Sequence, residues 1–206
     1  NGQGPGGGRG YEIGKSNGGG SYGGLGSGGL NGGVAGVIYG DESVSELLGG
    51  SGGGHSLTGS GNAGGGGGAV SFKVTGSFSI DANGSISTRG GDGQANGDGS
   101  GAAGSGGAIR IEAASITNNG VLDARGGDAT GNSSLAGAGG GGRISLLTSG
   151  ALTEGTVRLS GGENKAIISN NYRASDLVGH WTMDENQSTN IAINNAGNTS
   201  LNGTIY

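Results

Sequence analysis

The sequence contains no cysteine, a single proline (Pro5) and only eight aromatic residues: five tyrosines, two phenylalanines and one tryptophan in 206 residues. Without cysteine there is no disulfide framework, no thiolate metal site and no thiol nucleophile. Charge is scarce as well: Asp, Glu, Lys and Arg make up 12% of the chain, and the formal net charge is −5. That balance removes the electrostatic basis for binding nucleic acid or an anionic membrane surface. It also argues against ordinary disorder, in which low hydrophobicity is coupled to high charge. No run of eighteen apolar residues occurs, so no helical membrane span is expected. The two histidines, His55 and His180, lie far apart in the chain and give no basis for a histidine metal site or a Ser/His/Asp triad. The one Gly-Lys-Ser, at 14–16, lacks the upstream glycine spacing of a phosphate loop. The chain opens on Asn1 without an initiator methionine or a leader-like apolar segment, and is therefore expected to be a mature or truncated piece of a longer protein.

What the chain has instead is glycine, 58 residues of it. Collagen needs glycine at every third position throughout and abundant proline, so it is excluded. A flexible tether would show no positional order. In GGGSYGGLGSGGLNGG, residues 18–33, Gly20, Gly23, Gly26, Gly29 and Gly32 nonetheless fall on every third position. Gly61, Gly64 and Gly67 share that spacing, as do Gly101, Gly104 and Gly107. Three is the residue period of polyproline II geometry, and glycine lets chains of this type lie side by side and exchange backbone hydrogen bonds. These glycines are therefore expected to be structural.

A longer repeat overlies the short one. GGAVSFKVTGSFSIDANGSISTRGGD from Gly67, GGAIRIEAASITNNGVLDARGGD from Gly106 and GGRISLLTSGALTEGTVRLSGGE from Gly141 align, with starts 39 and 35 residues apart. A period of this size is one supersecondary unit per repeat, each stacked on its neighbours. Within the units apolar residues alternate: Val70, Phe72 and Val74 match Ile109, Ile111 and Ala113, then Ile144, Leu146 and Thr148. After an inner glycine, Ile86, Leu122 and Val157 match in the same way. Alternation over four to six residues predicts short strands with one face inside. Turn chemistry such as Ala82-Asn83-Gly84 and Asn118-Asn119-Gly120 marks the corners.

Strands recurring once per repeat stack best in parallel, so an all-β fold is expected: a parallel β-helix with interior ladders Val70/Ile109/Ile144 and Ile86/Leu122/Val157, and few or no helices. The glycine-rich insertions at 90–107 and 126–142 are too long for structureless loops in a compact domain. They are expected to join residues 1–66 in a polyglycine II-like layer against the solenoid. Tyr22, Leu25, Leu30, Val37, Ile38 and Tyr39 would anchor that layer, and DESVSELL (41–48) is the one candidate for a short helix. The expected organisation is a glycine layer at 1–66, β-helix repeats at 67–175, and a distinct tail at 176–206.

The GG(A/G)xIxI openings and RGGD endings resemble glycine-rich β-helix regions of large bacterial surface and secreted proteins. The polyglycine layer is similar to the glycine sandwiches of some phage tail-tip adhesins and small antifreeze proteins. From Leu177 the text LVGHWTMDENQSTNIAINNAGNTSLNGTIY resembles the opening of a laminin-G, or concanavalin A-like, domain, through Trp181, Asp184-Glu185, Asn195, Gly197, Asn198, Asn202, Gly203 and Thr204. A jelly roll needs more strands than this segment supplies. Either the parent protein continues, or the tail serves as a strand for a neighbouring subunit.

Catalytic β-helices that cleave acidic polysaccharides use clustered carboxylates, usually with calcium, and a basic residue. Here Arg89 and Arg125, and Asp92 and Asp128, occupy equivalent repeat positions. Stacked, they would form a charged ladder able to contact a glycan; equally, they are solvated turn residues whose charges offset one another. Asp81, Asp98 and Asp123 supply no evident second half of a catalytic site. GGDGQANGD resembles a calcium-binding nonapeptide with its Asp misplaced, so calcium is the one metal left open and no other cofactor is implied. Together these features imply an extracellular, bacterial, structural or adhesive module that meets glycans or further copies of itself, with homopolymer formation through strand addition. A β-helix polysaccharide lyase or hydrolase and an ice-binding protein are the alternatives.

Overall fold

The computed structural model describes residues 1–10, 16–29, 32–55, 61–96, 99–129, 136–163, 191–192 and 203–204. The fold is all-β, with no α-helix among the described residues. The first repeat forms β1 (Ala69–Lys73), β2 (Ser77–Ile80) and β3 (Ser85–Ser87). In the insertion that follows, β4 (Ala95–Asn96) pairs antiparallel with β5 (Gly99–Ser100). The second repeat forms β6 (Ala108–Ala113), β7 (Ser115–Asn118) and β8 (Val121–Asp123), and the third β9 (Arg143–Thr148), β10 (Leu152–Thr153) and β11 (Thr156–Arg158). Of the tail, β12 (Ile191–Ala192) pairs antiparallel with β13 (Gly203–Thr204). Trp181, Asp184 and Glu185 lie outside the described residues, as does Asp98 of the calcium-like segment.

Corresponding strands of the three repeats pair in parallel, giving the sheets β1-β6-β9, β2-β7-β10 and β3-β8-β11. The register is the one the repeats predict: Val70 faces Ile109 and Ile109 faces Ile144, while Ile86 faces Leu122 and Leu122 faces Val157. Alternation in the sequence thus becomes ladders of like residues. The middle repeat gains most, because Ile109, Ile111, Ile116 and Leu122 are wholly buried, each stabilising by roughly 1.5–3 kcal/mol. Their counterparts Val70, Phe72, Phe78 and Ile86 on one side, and Leu146, Leu152 and Val157 on the other, are half-buried. Corners close with local acceptors: Gly84 donates its N–H to the Asp81 carbonyl at 2.8 Å, and Gly120 donates to Oδ1 of the buried Asn118 at 3.0 Å.

Between the strands of successive repeats the chain runs out and back as glycine-rich segments, and these bond to one another and to residues 1–55. Residues 101–107 lie at the centre. Ala102 donates to the Gly54 carbonyl (3.0 Å) and accepts from Gly64 N–H (2.9 Å). Ala103 donates to Gly137 (2.9 Å) and accepts from Gly20 (2.9 Å). Gly104 donates to Gly91 (3.0 Å) and accepts from Gly127 (2.9 Å). Three consecutive residues thereby engage six different segments. Ser105 returns to the first pair, donating to Ser51 and accepting from Gly67, both at 2.9 Å. The bonding directions of Ala102 thus recur at Ser105, three residues on.

Residues 16–21 are surrounded in the same way: Gly18 bonds Arg9 and Gly54, Gly19 bonds Ser27 and Gly36, and Gly20 bonds Ala103 and Gly140. The triplet spacing over 18–33 does not run along one straight pass. The chain bends at Tyr22–Gly24, so 16–21 and 24–29 are separate passes joined by the Gly19 N–H to Ser27 carbonyl bond of 2.9 Å. A segment with neighbours on every side needs small residues at all three positions of the period, not at one.

Two expected features of the N-terminal region differ in the structure. DESVSELL forms a turn rather than a helix. The Asp41 carboxylate accepts from the Ser43 hydroxyl and from the hydroxyl and N–H of Ser45, and Val44 is held at φ 54° with its side chain buried. Side chains that offer local acceptors in this way compete with helical bonding. The anchors are also fewer than expected. Tyr22 and Tyr39 pack ring on ring, with centroids 4.8 Å apart, beside Val44 and Ala108, whereas Leu25, Val37 and Ile38 remain exposed; Leu30 lies outside the described residues. The guanidinium of the buried Arg143 lies 5.5 Å from the Tyr22 ring centroid and donates to the carbonyls of Tyr39 (3.1 Å) and Gly40 (3.4 Å). Burial pushes the Tyr22 phenol up to about 12 against the pull of that charge.

Gly104→Ala should lower stability by about 3 kcal/mol or more, because overpacking is severe where only backbone can yield. The added methyl would lie 2.1 Å from the Gly65 carbonyl oxygen. Gly32→Ala should cost only about 1 kcal/mol, the cost of a left-handed residue, since Gly32 sits at φ 80° with open space around it. Urea midpoints of the two variants check this, and equal losses would contradict it.

Candidate functional site

The candidate charged residues sit where β3, β8 and β11 lead into the glycine segments. In parallel repeats these positions come round at the same height, so side chains of equal rank stack. The Asp92 Oδ1 accepts from the Arg89 guanidinium at 2.6 Å and from the backbone N–H of Asp128 at 2.8 Å. Asp128 repeats the second bond one repeat on: its Oδ1 accepts from the N–H of Glu163 at 2.6 Å. Its Oδ2 accepts from Arg89 at 2.7 Å. Arg89 therefore bridges the carboxylates of two repeats, and Asp92, Asp128 and Glu163 form a ladder in which each of the first two carboxylates caps the next rung's amide.

Arg125 does something else. Its Nε and Nη2 clamp the Asp123 carboxylate at 3.0 and 2.7 Å, and its backbone N–H adds a third bond at 3.1 Å. The difference follows from the residue two places earlier. The first repeat has Ser87 there, which offers only a hydroxyl, so Arg89 reaches across to the aspartates. The second repeat has Asp123 there, and Arg125 folds back onto it. The four predicted residues thus make one bridged pair and one clamped arginine.

Two partners escaped the sequence reading. Asp123 was readable as Arg125's partner, because residues two apart in an extended chain share a face. Glu163 was readable from the aligned endings GGD, GGD and GGE. Asp81 lies at the opposite end of β3, in the turn closed by the Gly84 N–H to Asp81 carbonyl bond of 2.8 Å. Among the described residues no three His, Asp or Glu side chains converge as a metal site.

The electrostatics favour ionised carboxylates. Burial pulls the Asp92 carboxyl upward. The Arg89 hydrogen bond, the Asp128 N–H and the charges of Arg89 and Arg125 outweigh it and leave Asp92 below the usual carboxylate range. Asp123 follows the same pattern: burial raises it, and the Arg125 side chain and N–H, with the charges of Arg125 and Arg158, bring it below its ordinary value. Groups held in this state accept hydrogen bonds and balance cations; they are poorly matched to donating a proton near neutral pH.

The predicted structural glycines have different duties. A methyl on Gly20 would lie 2.1 Å from the Ser51 carbonyl oxygen, one on Gly23 2.2 Å from that of Gly142, and one on Gly26 2.6 Å from that of Gly20. Gly29 continues the second pass, and Gly32 serves backbone conformation. No family model, curated protein or solved structure matches the chain.

Asp92→Asn keeps an acceptor for the Asp128 amide but loses the charge that Arg89 requires. With the pair about a third exposed, the loss at neutral pH should be about 1 kcal/mol. Because the folded-state pKa is depressed, this stabilisation exists above the unfolded value near 4 and fades as pH falls through the folded one. Urea titrations should show wild type and variant converging below about pH 4; a gap that persists in acid would contradict the assignment.

Proposed function

We propose that this chain is an extracellular structural or adhesive module of a bacterial surface or secreted protein. In this reading the three repeats are turns of a short parallel β-helix, and the glycine segments are a polyglycine II-like bundle. The assembly acts as a stiff stalk, fibre or filament element, and residues 176–206 open a glycan-binding, laminin-G-like domain. The observation that carries the reading is the bonding of residues 101–107 to six neighbouring segments. Backbone fixed on every side resists bending and offers a protease no segment that opens locally.

The charged ladder supports an adhesive surface better than a catalytic one. Asp92, Asp123 and Asp128 are each committed to an arginine, and Asp92 and Asp128 also hold amides of the following repeat. Such groups present fixed acceptors and donors to a glycan hydroxyl without supplying a proton donor.

Digestion with a broad-specificity protease, run beside turnover assays on acidic polysaccharides, tests the reading. Residues 61–96, 99–129 and 136–163 should stay uncut long after an unfolded control is consumed, and no polysaccharide should be cleaved. Early cuts within 101–107 or 136–142 would contradict the structural role. Cleavage of an acidic glycan that Asp92→Asn or Asp128→Asn abolishes would establish the enzyme instead.

A further inference from the structure

Most glycines in this fold are explained by what an added methyl would strike, and three described glycines without a positive φ, Gly65, Gly68 and Gly76, lack such an explanation. In the third repeat, methyls on Gly139 and Gly142 would lie 1.8 and 2.0 Å from the carbonyl oxygens of Gly104 and Gly107. In the second, methyls on Gly104 and Gly107 would lie 2.1 and 1.8 Å from those of Gly65 and Gly68. At Gly65 and Gly68, the equivalent positions of the first repeat, a methyl would meet nothing within 4 Å. Neither has the positive φ that calls for glycine at Gly32 or Gly155. Nothing among the described residues therefore requires glycine there, whereas a further repeat stacked ahead of the first would.

The same face is unfinished in two other respects. Strands β1, β2 and β3 are the outer members of their sheets, and their apolar residues Val70, Phe72, Phe78 and Ile86 are only half-buried. At the opposite end β9, β10 and β11 are also outer strands, with Leu146, Leu152 and Val157 half-buried. We propose that the first-repeat face of one copy seats on the third-repeat face of another, head to tail, continuing the stacking that joins the repeats within the chain.

A second copy is the occupant because this chain itself carries the matching surface in the matching register. Continued stacking would set Ser71 beside Ser145, Lys73 beside Leu147, Ser79 beside Thr153 and Ser87 beside Arg158, so no strand position brings like charges together. Glu163 would accept from the Asp92 amide as Asp92 does from Asp128 and Asp128 from Glu163. Gly65 would cover the Gly139 carbonyl. Gly68 would meet the Gly142 carbonyl together with Gly23, already beside it. Two different faces meeting through a step that advances along the stacking direction of the repeats do not close into a ring, so the product is an open filament rather than a dimer. The proposal rests on the reading of the chain as a structural module and specifies which surfaces join.

Sedimentation velocity from micromolar to millimolar protein, on wild type and on Gly65→Ala/Gly68→Ala, tests it. Wild type should grow in mass with concentration. The double variant should self-associate at least tenfold more weakly, with a thermal midpoint unchanged at dilutions where both proteins are monomeric, because its methyls touch nothing within one copy. Added in small amounts, it should still cap and shorten wild-type assemblies through its intact third-repeat face. A wild type that stays monomeric throughout would overturn head-to-tail stacking, as would a double variant that assembles normally or has a lowered midpoint at those dilutions. A monomer that nonetheless resists protease leaves the structural reading standing; an assembling protein that is digested early contradicts that reading and not the stacking.

Discussion

Everything in this structure depends on backbone amides and carbonyls packed against other backbones. Where residues 16–21 and 101–107 have neighbours on every side, water cannot satisfy their polar groups, and each must be bonded or bear a desolvation cost of about 1–3 kcal/mol. Glycine is what makes the bonding geometrically feasible: methyls at its interior positions would lie about 2 Å from neighbouring carbonyl oxygens, as at Gly104 and Gly127. The residues tolerated beside it, Ala102, Ala103 and Ser105, are the next smallest and are fully buried. Small size at all three positions of the period is the condition for an interior segment.

That condition has a thermodynamic consequence. Ordering one residue's backbone costs roughly 1–2 kcal/mol, with glycine at the upper end, and a net hydrogen bond returns about 1 kcal/mol. An array averaging one bond per residue is therefore near neutral at best, and it needs an apolar partner. The ladders Val70/Ile109/Ile144, Phe72/Ile111/Leu146 and Phe78/Ile116/Leu152 supply one core, and Tyr22, Tyr39, Val44 and Arg143 fasten the N-terminal passes to it. The charged ladder of Asp92, Asp128 and Glu163 lies where the two systems meet, so its bonds align the glycine segments with the strands. A chain built this way repeats its surfaces from one repeat to the next, which supports the proposed stalk or fibre role.

Much of this arrangement is readable from the residues. Alternation and the 35–39-residue spacing give the parallel sheets and their register down to single pairs, because a side chain buried at one rung needs a like side chain at the next. Less readable is how the glycine segments fold. The triplets of 18–33 point to an extended layer, but a period seen along the chain cannot report a bend, and Tyr22–Gly24 turns it back. DESVSELL has the acid and leucine pattern of a helix, yet Ser43 and Ser45 offer Asp41 closer bonds. The charged pairs were half readable: equal rank placed Asp92 and Asp128 together, while the switch of Arg125 to Asp123 depends on one Ser-to-Asp difference between repeats. Which segment neighbours which in the bundle is a long-range property, with partners as distant as Gly20 and Ala103, and glycine carries no side chain to encode the choice.

Amide hydrogen exchange resolved to single residues tests the central claim most directly. If glycine backbones are locked by bonds on every side, the amides of Ala102, Ala103 and Gly104 should exchange as slowly as those of Ile109 and Ile111 in the apolar core. Exchange of residues 101–107 at the rate of an unstructured glycine chain, with the core strands still protected, would contradict it.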